Sequence, residues 1–169
     1  MKFLKNRDGS VALEAALVMP LLAMLLLATI EFGQAFTVKR RVALVASTAS
    51  DLVARASCLT QSNLQDIATI GNTILPSAKT TTLGLRLTSL NANGTVNWSY
   101  ATGTLSPAKS GSAFNLPSGI AGQSKPMVVA ETSYAFTPTV SQFLNPITFS
   151  YVSYNFPRFA ATVPLKTSC

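Results

Sequence analysis

The stretch "GSVALEAALVMPLLAMLLLATIEFGQAFTVKRRVALVASTASDLVAR", Gly9 to Arg55, decides how this chain is built. From Val11 to Ile30 it holds twenty residues whose only charge is Glu14. At about 1.5 Å per residue such a helix spans the ~30 Å hydrocarbon core of a bilayer. This is a full-length span, longer than the apolar core of an ordinary cleaved signal peptide. Beyond it Val38, Val42, Val45, Ala49, Leu52 and Ala56 recur at alternating spacings of four and three, the seam of a helix that continues out of the membrane. Asp51 and Arg55 form a favourable i,i+4 pair on its polar side, and no proline intervenes between Phe32 and Cys58. One helix from Ser10 to Ser57 is expected, on the order of 70 Å long, half in lipid and half amphipathic.

Within that helix, Pro20 has no N–H and leaves the carbonyl of Ala16 without its helical partner, so a bend is expected there. Glu31 and Gly33 close the apolar run, with Glu31 at the outer interface or in contact with a basic residue of a neighbour. Lys2, Lys5 and Arg7 before the span favour a cytoplasmic N-terminus, but Lys39, Arg40 and Arg41 beyond it make the count nearly even. Charge alone leaves the orientation open.

Outside the N-terminal run the 169 residues suffice for one small exported domain. Thirteen Lys and Arg against six Asp and Glu give a net charge of +7, yet only Lys39 to Arg41 form a cluster. Consecutive helical residues fan round the axis, so this cluster is no single-sided nucleic-acid patch. Its place past the apolar run suits lipid headgroups or the acids of a neighbouring helix, and no nucleic acid is expected as a partner. Cys58 lies where the long helix should end and Cys169 is the last residue, so a disulfide between them would close most of the exported region into one loop. Two buried free thiols are the alternative reading.

Further along, Ser62 with Gln65 three residues on carries a capping-box signature for a second helix. Its buried face would be Leu64, Ile67, Ala68, Gly71, Ile74 and Leu75, and Pro76 would end it. Then the period falls to two. Leu83, Leu85 and Leu87 alternate with Gly84, Arg86 and Thr88, and "NANG" at Asn91 to Gly94 turns the chain into Val96, Trp98 and Tyr100, a β-hairpin. Residues 101–126, rich in Ser, Gly, Thr and Pro, read as a long surface loop. Met127 to Phe136 and Ile147 to Phe156 have the β-branched and aromatic content of two more strands. The expected fold is α+β: a long N-terminal transmembrane and amphipathic helix, a second short helix and an antiparallel sheet of about four strands.

The residues for catalysis are missing. There is no histidine, and after Cys58 the only acids are Asp66 and Glu131. This excludes an ordinary catalytic triad or imidazole metal site and offers little for general acid–base chemistry. An enzyme, a cofactor and a metal are not expected. Asp66 reads as a solvated residue of a first helical turn, and Glu131 faces solvent or pairs with a cross-strand base such as Arg86. The sequons at Asn93 and Asn97 are adequately explained by turn and strand roles.

The opening stretch resembles a type IV prepilin: a short basic leader, Gly9, and a glutamate, Glu14, that becomes the fifth residue if the chain is cut before Ser10. Such leaders face the cytoplasm and are removed by prepilin peptidase, which settles the expected orientation. More narrowly, Gly9 to Arg55 is similar to the TadE-like segment of tight-adherence (Flp/Tad) pilus systems, with its Glu, its "PLL" and its "EFG" followed by an aromatic. Less specifically, "VVAETSYAFTP" (Val128 to Pro138) and "PRF" (Pro157 to Phe159) look like the C-terminal region of such pseudopilins. Ala15 departs from the aromatic or larger apolar residue that processed Tad pilins commonly carry after this glutamate.

The resemblance implies a minor pilin or pseudopilin in pilus assembly, initiation or tip formation. It implies a leader over 1–9, a long helix over 10–57 with its span at about 11–30, and an exported α+β domain over 58–169. Expected partners are other pilin and pseudopilin subunits, the inner-membrane assembly platform, prepilin peptidase and membrane lipid. The location is the bacterial inner membrane, with the exported domain outside the cytoplasm. Physically, a carboxylate in lipid is costly alone, and the amine released at Ser10 of an adjacent subunit would pair with Glu14. Snorkelling of Glu14 to headgroups is the simpler alternative. Other readings are a periplasmic binding or scaffold domain on an uncleaved signal anchor, and a type II secretion-like pseudopilin.

Overall fold

The computed structural model describes residues 8–75, 83–121, 124–138 and 146–169. Residues 1–7, with Lys2, Lys5 and Arg7 of the expected leader, lie outside the described residues, as does Pro76. Helix α1 runs from Asp8 to Arg55 and passes through Pro20 without interruption. Its 48 residues make it about 72 Å long. After it come α2 (Gln61–Ile74), β1 (Gly84–Leu90), β2 (Val96–Thr102), the single turn α3 (Ser118–Ala121), β3 (Met127–Phe136) and β4 (Ile147–Asn155). The four strands form one antiparallel sheet in the order β2-β1-β3-β4. The fold is α+β.

The outer half of α1 lies on the sheet along β3 and β4 and packs beside α2. Its buried face is Val38, Val42, Val45, Ala46, Ala49, Ser50, Val53 and Ala54. The expected seam therefore needs correcting at its far end. Leu52 is 37% exposed whereas Val53 is fully buried. A strict four-three spacing has a period of 3.5, but a straight helix turns every 3.6 residues, and the two drift apart by ~20° per heptad. The stripe of α1 that meets the sheet follows the 3.6 period, while Leu52 is left at the rim of the contact with α2.

Register between the helix and the sheet is set by polar groups inside this interface. Ser50, with no exposed surface, lies 2.8 Å from the hydroxyl of Ser153 and accepts a hydrogen bond from the Asn155 amide at 2.7 Å. The hydroxyl of Thr132 donates to the Val42 carbonyl at 3.2 Å. A slide of α1 by one residue would break these cross-interface bonds, each worth ~0.5–1.5 kcal/mol, although Ser50 would keep the Ser47 carbonyl and Thr132 the Tyr151 carbonyl as partners.

Helix α2 starts two residues earlier than the Ser62 signature implied. Thr60 is its N-cap: its hydroxyl accepts from the Asn63 N–H at 3.3 Å, and Asn63 Oδ1 accepts from the Thr60 N–H at 3.0 Å. Leu59, just before the cap, is held extended by Leu59 N–H to Pro164 C=O and Lys166 N–H to Leu59 C=O bonds. Leu59 and Leu64 are both buried in the main core, the arrangement of a hydrophobic staple. Tertiary pairing with the 163–166 segment, invisible to a local pattern, thus chose the cap. Leu64, Ile67, Ala68, Gly71 and Leu75 are buried as expected. A Cβ at Gly71 would lie 3.0 Å from Val45 Cγ1, so glycine is what lets α2 approach α1 this closely. Leu75, which precedes Pro76, is extended (φ −90°, ψ 131°), the conformation that a following proline favours.

The region 101–126 is not simply a surface loop. Strand β2 extends to Thr102, and the chain then returns over the sheet face opposite α1. There Phe114, Leu116 and Ile120 pack on Leu90, Val96, Met127 and Val129. Sparse apolar residues in a Ser/Gly-rich stretch give no periodic signal, yet together they cover a second apolar surface. The bridge Thr95 to Ala113 and the Val96 N–H to Ser112 C=O bond also cover part of the β2 edge. On the same face Arg86 forks onto Glu131, with Nη2 to Oε1 at 2.7 Å, so the cross-strand alternative holds for Glu131.

Candidate membrane-anchoring and assembly segment

Helix α1 has two halves with opposite surroundings. Every side chain from Val11 to Ile30 is exposed, and Leu17 (72%) and Phe32 (76%) show how completely. A contiguous apolar surface of this size is not left to water in a soluble monomer. Among the described residues α1 is the helix long and apolar enough to cross a membrane. Within the apolar half Thr29 donates its hydroxyl to the Leu25 carbonyl at 2.7 Å, so this polar group brings no unmet hydrogen bond into lipid. Thr37 does the same with Gly33 at 2.9 Å.

Gly9 and Ser10 fall in the first turn of α1, and Glu14 is an exposed residue about one turn further on. All three lie at the far end of the helix from the sheet. Pro20 sits in the exposed half, between them and the domain. Lys39, Arg40 and Arg41 are exposed where α1 meets the sheet. Cys58 and Cys169 are joined in a disulfide with their Cα atoms 5.9 Å apart. Sequence position alone had suggested this pair. It had not shown what the bond fastens: the segment 157–169 lies along the end of α1. There Arg158 donates its N–H to the Ala54 carbonyl and its guanidinium to Asp51 at 2.6 Å, alongside the expected Arg55–Asp51 pair at 2.7 Å.

The geometry thus joins an apolar rod to a folded head by one continuous helix. Residues 9–51 match the family model of TadE-like protein. No curated protein and no solved structure gives a significant match to the chain. The matched segment coincides with nearly all of α1 and stops short of α2 and the sheet. The similarity to TadE-like proteins therefore resides in the helix and its carboxylate, and it supports a place for the chain in the tight-adherence pilus system. Nothing in the match extends to the sheet domain. Among the described residues no cluster of His, Cys, Asp and Glu could hold a metal ion.

Proposed function

We propose that this protein is a minor pilin or pseudopilin of a tight-adherence pilus, acting without catalysis in assembly, initiation or tip formation. The observation that carries the reading is α1 itself. Its TadE-like match covers a helix whose first half exposes its apolar side chains and whose second half is the spine of the head domain. In this reading prepilin peptidase removes the leader between Gly9 and Ser10 at the cytoplasmic face of the inner membrane. The free amine of Ser10 then pairs with Glu14 of an adjacent pilin or pseudopilin as helices are stacked by the assembly platform. Desolvated opposite charges in lipid attract strongly, and either charge alone is disfavoured there, so the pair registers one subunit against the next.

Two substitutions test it. Gly9→Val should block production of a chain beginning at Ser10 when the protein is co-expressed with a prepilin peptidase. An intact Met1 on the wild-type protein of native envelopes would show an uncleaved anchor and favour a tethered scaffold domain instead. Glu14→Leu should insert and accumulate at least as well as the wild type, since it removes a charge from the apolar run. Pilus number per cell should fall sharply. Normal pilus numbers with Glu14→Leu as the sole copy would rule out charge pairing.

A further inference from the structure

The outer half of α1 and strand β4 do not meet flush at the membrane-facing end of the head. Two adjoining hollows of about 500 and 410 Å³ lie between them. Their walls combine the aromatic rings of Phe36 and Tyr151 with the cations Lys39, Arg40 and Arg41. No acidic side chain lines either hollow. Of the acids beyond Gly33, Asp51 pairs with Arg55 and Arg158, and Glu131 with Arg86. Phe36 and Tyr151 are about half exposed.

Position along the helix identifies the occupant. The apolar run of α1 ends at Ile30, with Glu31 and Gly33 closing it, so the Arg40 backbone lies about 14–15 Å beyond the hydrocarbon boundary. Headgroups add a layer of roughly 5–8 Å on each side of the core, so the backbone stands just outside them and the roughly 6 Å reach of an extended arginine brings its guanidinium to their outer edge. Helical side chains lean toward the helix N-terminus, which here is toward the bilayer, so all three cations are directed at that layer. Tyrosine beside them is the residue expected at a headgroup interface.

We infer that the groove between α1 and β4 is a binding site for the headgroup of an anionic phospholipid in the leaflet from which α1 emerges, its phosphate held by Arg40, which lines both hollows, with Arg41 beside it in the larger and Lys39 in the smaller, its glycerol end against Phe36 and Tyr151. The site would fix the height and tilt of the head on the membrane while the subunit waits for incorporation. This rests on α1 being a membrane anchor, and the two ideas separate experimentally.

The full chain is reconstituted in phosphatidylcholine vesicles with and without phosphatidylglycerol, checked by flotation, then released in mild detergent for native mass spectrometry. The wild type should float with both vesicles and retain phosphatidylglycerol over phosphatidylcholine by about tenfold or more. Arg40→Gln/Arg41→Gln, both exposed positions, should still float but lose the preference. Lys109→Gln/Lys125→Gln removes the same charge from exposed positions away from the groove and should keep it. Soluble glycerol phosphate at equal concentration should not displace the lipid. Equal loss in both double variants would reduce the effect to net charge and overturn the site, as would retention without preference in the wild type. Failure to float would overturn the anchor and the site together. A benzophenone at position 36 that captures a second copy of the chain in place of lipid would make the groove a subunit interface and end the proposal.

Discussion

The indole Nε1–H of Trp98 donates to the carbonyl oxygen of Val163 at 2.7 Å, wholly inside the protein. Trp98 belongs to β2 and Val163 to the segment 157–169, so this bond ties the far side of the sheet to the strap that runs along the end of α1. Val163 has no exposed surface, and its carbonyl has no access to water as a substitute partner. Trp98→Phe keeps most of the buried ring but removes the donor. It should cost ~1–3 kcal/mol, the price of an unpaired buried acceptor plus some lost packing. Chemical unfolding of the full chain in detergent measures it, and a change below ~0.5 kcal/mol would mean that the carbonyl finds another donor.

The Cys58–Cys169 disulfide closes the same strap onto the head across a sequence separation of 111 residues. Non-reducing peptide mapping should recover both cysteines in one linked fragment. Cys58→Ser/Cys169→Ser should lower stability by ~2–5 kcal/mol through the added freedom of the unfolded chain. Because Val163 covers Trp98, loosening of the strap should also shift tryptophan emission to the red before the sheet unfolds. Coincident loss of both signals would show that strap and sheet form one cooperative unit.

Arg86 and Glu131 face each other across β1 and β3 with side chains 27% and 19% exposed. The hydrogen bond to Glu131 raises the Arg86 pKa beyond its already high value, against the opposing effect of burial, so the guanidinium does not lose its charge on the alkaline side. Arg86→Met should destabilise by ~1–3 kcal/mol because it strands a half-buried carboxylate. The double variant Arg86→Met/Glu131→Leu should recover much of that loss. A double-mutant cycle in thermal unfolding decides it, and simple additivity would reduce the pair to two independent surface groups.

Tyr154 sits on that same face, and burial followed by the negative charge of Glu131 raises its pKa above the ordinary 10.0. Its neutral form is therefore favoured by folding. The contribution is fully present below the unfolded pKa and is lost as pH rises through the elevated folded value. Relative to Tyr154→Phe, the wild type should hold a constant stability difference from about pH 7 to 9 and then lose ground at about pH 10 and above. Parallel curves for the two proteins through that window would mean that the phenol does not report on folding.

How much of this was legible in advance follows from the range of the interactions involved. The long helix, the hairpin around Asn91 to Gly94, the two later strands and the Cys58–Cys169 pairing all announce themselves through local period, turn chemistry or plain position in the chain. The resemblance to TadE-like proteins was equally local, since it lies in consecutive residues of one helix. What the sequence by itself determined is therefore the long apolar helix, the class of fold and the family likeness of residues 9–51. Only the tertiary structure decided the rest. The α2 cap moved from Ser62 to Thr60 because Leu59 pairs with the 163–166 segment, about a hundred residues away. The seam turned from Leu52 to Val53 because the buried stripe of α1 follows the sheet, with Leu52 at the rim toward α2. The Ser/Gly-rich stretch became the cover of a second apolar face, and Arg40 was brought beside Tyr151 to form a groove. Each of these depends on which distant surface a segment meets, and local periodicity carries no information about that partner.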